Sequence, residues 1–165
     1  MTKREQLVTD KNEIKRILNT CLYLNLGLID DGKPYVVPMN YGVDYGADDH
    51  MILYLHSARD SRKLHLVENN PNCAFSMECN VKPFEGKLAC QYGMAFESIM
   101  GHGKISIIKD NQERAHALLK IMETQTGKSD FQFDDRMVSI VGIMRIDVEE
   151  YTAKHRPLPA TYSEQ

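Results

Sequence analysis

The chain has 165 residues, a length that suits one domain able to bury a sizeable core. Hydrophobic residues make up 42% and charged residues 26%, which excludes a disordered chain, and the net charge of −3 lacks the basic excess of a generic nucleic-acid binder. No apolar run nears the ~18 residues of a membrane span, and Met1 to Asp10 is polar with no signal-peptide core, so a cytoplasmic protein without membrane or nucleic-acid partners is expected.

Asp10-Lys11-Asn12-Glu13 is a helix-start signal, with Asp as cap and Glu three residues on. Ile14, Ile17, Leu18 and Cys21 follow at helical spacing, which predicts a helix over 11–20. The period then falls to two at Leu22, Leu24, Leu26 and Leu28, predicting a strand with one apolar face. Asp31-Gly32 marks a hairpin turn, and Tyr35 to Tyr45 reads as one returning strand. Pro38 interrupts it and, having no N–H to give to the ladder, belongs on an edge or at a bulge. A third strand is predicted over 51–56, and a short helix from about Asp60 or Ser61 to Asn69.

Cys73, Phe75, Met77 and Cys79 alternate in a fourth strand, and residues 80–90 read as an exposed loop. Tyr92 to Ile108 is long for one strand, and Gly101 and Gly103 predict a bulge or bend within it. A helix starts at Asp110, presents Ala115, Leu118, Leu119 and Met122 as its apolar face, and stops at Gly127. Ile140 to Val148 is the sixth strand, and the tail from Thr152 is polar and assigned to the surface. Six strands, several of them hairpin-linked, with three helices predict a mainly β, α+β chain, its mainly antiparallel sheet forming a small barrel as a single domain over residues 1–165.

The segment from His56 to Leu64 holds the densest chemistry. It lies where a strand runs into a helix, and a helix start offers free N–H groups and a positive dipole end to an anion. Arg59, Arg62 and Lys63 add charge, and Ser57 and Ser61 add hydroxyls. The same residues would also serve as a solvated helix start. His56 is either catalytic or structural, and Gly101-His102-Gly103 is either a bulge or a place of close backbone approach. Phosphate-loop, dinucleotide, zinc-protease and serine-elbow motifs are absent. Cys21, Cys73, Cys79 and Cys90 form no C-x-x-C pair and, with the six histidines, show no metal-ligand spacing, so free thiols and no metal are expected.

The order of segments resembles the pyridoxamine 5′-phosphate oxidase-like FMN-binding split-barrel proteins, and within them the 5-nitroimidazole-resistance (Nim-like) branch. The residues that carry the resemblance are Leu26-Gly27-Leu28, Asp31 through Tyr41, Leu53 through Ala58, Arg62-Lys63-Leu64, Asn69 through Cys73, Tyr92, and Glu97 through Gly103. It spans roughly residues 10–150. The resemblance implies a six-stranded antiparallel split β-barrel with flanking helices and an FMN site at a homodimer interface. It implies that Val37, Pro38, Met39 and Asn40 line the flavin ring, that His56 and Ser57 lie beside the ring and ribityl chain, and that Arg62 and Lys63 grip the phosphate. Ser98 matches a further cofactor position, supplied by the partner chain. Asn40 stands where vitamin-oxidising members have a basic residue, and their C-terminal substrate segment has no clear match beyond His155-Arg156-Pro157.

The expected function is therefore an FMN-dependent oxidoreductase acting on small electron-poor compounds such as nitroimidazoles and nitroaromatics, with His56 as proton donor or electrostatic partner. The alternatives are a flavin or haem binding and storage module without turnover, and a pyridoxamine 5′-phosphate oxidase-type activity.

Overall fold

The computed structural model describes residues 6–160. The first five residues of the polar stretch Met1 to Asp10 lie outside them. Within them are eight strands: β1 (Gln6–Val8), β2 (Leu24–Asp30), β3 (Lys33–Met39), β4 (Tyr41–Tyr45), β5 (Met51–Ala58), β6 (Asn72–Phe84), β7 (Gly93–Ile107) and β8 (Val141–Arg156). Four α-helices accompany them: α1 (Lys11–Thr20), α2 (Arg62–Asn69), α3 (Asn111–Thr126) and α4 (Asp135–Ser139). The sheet runs β3-β2-β6-β7-β8-β5-β4, antiparallel at every pairing, with β1 paired to the end of β8.

The predicted six strands become eight for two reasons. The returning strand of residues 35–45 divides at Asn40: β3 pairs with β2, whereas β4 pairs with β5. The alternation continues unbroken across the division, so only the partner changes. β1 is the other addition. Because β3 and β4 are the two ends of the sheet and only Asn40 separates them, the sheet must curl until its edges meet at one residue. It is an antiparallel split barrel whose hydrogen bonding does not close.

The caps form as the sequence predicts: Asp10 and Asp110 each accept the N–H of the residue three positions on, at 2.9 Å, and Gly127 ends α3 at φ 70°. Asp31 and Gly32 turn the β2–β3 hairpin with positive φ. The bulge lies between His102 and Gly103, where a Cβ on Gly103 would run into the Asp147 carbonyl.

Leu24, Leu26, Leu28, Leu53, Leu55, Phe75, Met77 and Ile99 fill the barrel, and α1 adds Ile14, Ile17 and Leu18. Tyr41, fully buried, donates its hydroxyl to the Leu18 carbonyl at 2.5 Å and ties α1 to β4. A second core lies outside the barrel, where Ala117, Leu118 and Ile121 of α3 and Val138 of α4 cover Ile52, Tyr54 and Ile143. This explains why β5 is buried on both faces.

Four further expectations are corrected. On α3 Leu118 is buried as expected and Ala115 packs partly against the same core, but Ala117 and Ile121 rather than Leu119 and Met122 complete the buried face, because Gly42 lets the Ile121 backbone lie against β4. Leu22 is exposed and β2 begins at Leu24. The 80–90 loop is partly strand, since β6 continues to Phe84 past a bulge between Cys79 and Lys82. The tail from Thr152 continues β8 to Arg156, held by β7 on one side and β1 on the other, with Ala153 buried. No helix among the described residues is long and apolar enough to cross a membrane.

Candidate functional site

The split in the barrel is also where the predicted residues gather. The β4–β5 ladder ends at Tyr41 opposite Leu55, so Asn40 and His56 are the next positions on each side. Beyond that point β3 turns away to pair with β2 alone, and His56, Ser57 and Ala58 pair with β8 alone. Each strand therefore has an unpaired backbone edge, and these edges belong to residues 37–39 and 56–58. Pro38 sits on that edge strand, where its missing N–H costs no ladder bond. Val37 and Met39 point their side chains toward the core, while Pro38 and Asn40 are exposed.

β5 then runs into α2. Ser57 is buried, and its hydroxyl lies 3.1 Å from that of Ser61, the residue before the helix. Ser61 therefore does not cap α2, and the helix begins without a side-chain acceptor for its first amides. Two cations stand there in different states. Arg62 is engaged: its guanidinium pairs with Asp30 at the end of β2 and lies 4.9 Å over the Tyr35 ring. Lys63 is half-buried and forms no ion pair among the described residues. The His56 side chain is exposed and likewise has no hydrogen-bond partner among them.

Ser98 does not join this group in one chain. It sits on β7 between Glu78 of β6 and Lys154 of β8, on the half of β8 away from β5. Register places Ser98 on the outer face of the sheet, in one row with Glu78, Lys154 and Leu7. The next row is Pro38, Asn25, Ser76, Met100 and Thr152, and the one beyond is Val36, Gly27, Ala74, His102 and Glu150. The helices pack inside the barrel or over β4, β5 and β8, which leaves most of these rows bare, although Ser98 itself is buried. Exposed Val36, Met100 and Leu7 stand there among small residues and the polar or charged Glu78, His102, Glu150 and Lys154.

Sequence reasoning missed several residues around the site. Asp30 anchors Arg62, and Gln125 bonds Asn40, but both partnerships cross long stretches of chain and leave no local signal. Glu97, next to Ser98, is a buried carboxylate held by Arg16 and by Asn80 Nδ2 at 2.6 Å. The Arg16 guanidinium holds its carboxyl below the usual range. Glu97 also lines a cavity of about 520 Å³ with Asn80, Lys82, Phe96, His155 and Arg156. Cys21, Cys73 and Cys79 are buried free thiols, and burial pushes the Cys73 thiol up to about 12. Cys90 is exposed.

The geometry has counterparts among known proteins. The family model described as pyridoxamine 5′-phosphate oxidase matches residues 10–155. No curated protein matches the sequence. A candidate 5-nitroimidazole antibiotic resistance protein from Bacteroides thetaiotaomicron is 33% identical, with a TM-score of 0.74 over 91% of this chain and 86% of that one. The flavocytochrome Anf3 from Azotobacter vinelandii shares the fold at 16% identity and a TM-score of 0.75, over 96% of this chain and 73% of the other. An FAD and heme binding protein from Mycobacterium smegmatis does so at 15% identity and a TM-score of 0.75, over 96% and 78%. With a family model matching most of its length and a 33% identical relative of the same fold, the chain belongs to the pyridoxamine 5′-phosphate oxidase family.

Proposed function

We propose that the protein is an FMN-binding flavoprotein that reduces small electron-poor compounds such as nitroaromatics, working as a homodimer. The observation that carries the reading is the start of α2. Uncapped amides and an unpaired, half-buried Lys63 stand there beside an open strand edge. A phosphate monoester supplies the acceptors that these donors lack. Arg62, fixed by Asp30 and Tyr35, adds a guanidinium already held in place. The 33% identical relative named for nitroimidazole resistance supports the substrate class.

Bound there, FMN would supply the electron and hydride chemistry. The chain's own part is to bind and orient it. The unpaired edges at residues 37–39 and 56–58 can meet the polar rim of a planar ring, and the buried Ser57 hydroxyl sits next to the ribityl path toward α2. His56, exposed and unpartnered at the strand end, is the proton donor or electrostatic partner. Ser98 is too far round the sheet to serve the same site, so the partner's Ser98 completes it. The bare outer rows that hold exposed Met100 and Val36, next to the buried Ser98, are the surface for that second copy.

The test is the visible spectrum of freshly purified protein, with mass spectrometry of the released ligand. The reading expects FMN, bleaching by NADH or NADPH, and reoxidation by a nitro compound. FMN present but never reduced means a binding or storage module. No flavin retained or bound on titration overturns the proposal.

A further inference from the structure

The last turn of α3 reaches the residue at which the barrel splits. β4 is an edge strand, so Tyr41 and Val43 direct polar groups away from β5 with no strand to receive them. Two α3 side chains take that place. The Val43 N–H donates to Thr124 Oγ1 at 3.0 Å, and Gln125 Nε2 donates to the Tyr41 carbonyl at 3.0 Å. The other half of the Gln125 amide turns to Asn40: Gln125 Oε1 accepts from Asn40 Nδ2 at 3.1 Å. Asn40 Nδ2 also donates to the Leu22 carbonyl at 3.1 Å.

These bonds fix both amides. A carbonyl can only accept, so the Tyr41 and Leu22 oxygens determine which end of each amide is nitrogen. Asn40 Nδ2 then has two acceptors for its two hydrogens. Asn40 Oδ1 has no partner among the described residues and remains an acceptor at the split. Free to rotate, an exposed Asn would present either end.

We propose that Gln125 is a positioning residue for the cofactor cleft, holding Asn40 with its oxygen outward as the acceptor for a ring N–H. Oxidised flavin has one such ring N–H. The inference rests on the reading that flavin lies along residues 37–40. Thr124 supplies the control, since it seals the same edge from the same turn without touching Asn40.

The test is titration of apo-protein with FMN, together with the absorption spectrum of the complex and thermal unfolding. The variants are Gln125→Ala, Gln125→Met, Gln125→Glu, Thr124→Val, Asn40→Ala and the double variant Gln125→Ala/Asn40→Ala. Gln125→Ala and Gln125→Met should each weaken FMN about tenfold, the order expected for one lost hydrogen bond, and shift the flavin band. Gln125→Glu keeps the acceptor for Asn40 and should restore affinity, although it faces the Tyr41 carbonyl and lowers the unfolding temperature. Thr124→Val should lower stability alone. In the Asn40→Ala background, the loss on replacing Gln125 should disappear.

Equal behaviour of the Gln125 and Thr124 variants, with FMN affinity and spectrum unchanged, would overturn the inference and leave Gln125 as an edge seal. So would losses that add in the double variant. If wild-type protein binds no FMN at all, the flavin reading itself fails, and this one with it. The wild-type titration therefore separates the two failures.

Discussion

Lys63 and Glu97 show what a charge does with and without a partner. Lys63 is half-buried with no counter-ion among the described residues, which leaves it available for a ligand. Glu97 is almost fully buried, and Arg16, Asn80 and the Cys79 thiol already occupy its oxygens. Replacing Glu97 with Gln should therefore cost about 1–3 kcal/mol at neutral pH, measured by denaturant unfolding, because the Arg16 bonds lose their charge. The sign of the pH dependence follows from its lowered carboxyl. The stabilisation is fully present above the ordinary value of 4.5 and is lost as pH falls through the lower folded one. Wild type should thus lose its advantage over Glu97→Gln in acid. An advantage that persists unchanged to low pH would show that the charge of Glu97 contributes nothing.

At the scale of elements, α3 on β4 is the contact most sensitive to a single methyl. A Cβ on Gly42 would run into the Lys120–Ile121 backbone, so Gly42→Ala should push the helix off the strand and cost about 1–3 kcal/mol. Asp110→Ala removes only a cap and should cost about 1 kcal/mol. Comparable unfolding midpoints for the two variants would mean that the helix can slide without loss. The same elements show which parts of the fold were legible in the sequence. Caps and hairpin turns are local chemistry, so Asp10, Asp110, Asp31-Gly32 and Gly127 reveal themselves. The division at Asn40 does not, because Val37, Met39, Tyr41, Val43 and Tyr45 keep one alternation while the pairing partner changes. The extension of β8 past Val148 is likewise hidden: Glu150 and Tyr151 are exposed, and pairing with β7 rather than burial makes them strand. In the candidate site, the run from His56 to Lys63 is readable because strand end and helix start adjoin in sequence. Asp30 and Gln125 are brought in only by the curl of the sheet and the packing of α3 on its edge.

For the whole molecule, the bare face formed by the Val36, Pro38 and Ser98 rows is where the proposed second copy packs. Met100→Glu and Val36→Lys place charges on it and should convert a dimer to an 18.9 kDa species in sedimentation equilibrium. A monomeric wild type that still binds flavin would contradict the shared site. The proposed hold of α2 on a phosphate is tested by parallel titration of apo wild type and Lys63→Ala with FMN and riboflavin. Riboflavin has the same ring and ribityl chain without the phosphate. A charge-assisted bond is worth about 1.5–3 kcal/mol, so Lys63→Ala should weaken FMN by roughly tenfold to a hundredfold. Riboflavin binding should barely change. Equal losses for both ligands, or no loss for either, would contradict the assignment of the phosphate to α2.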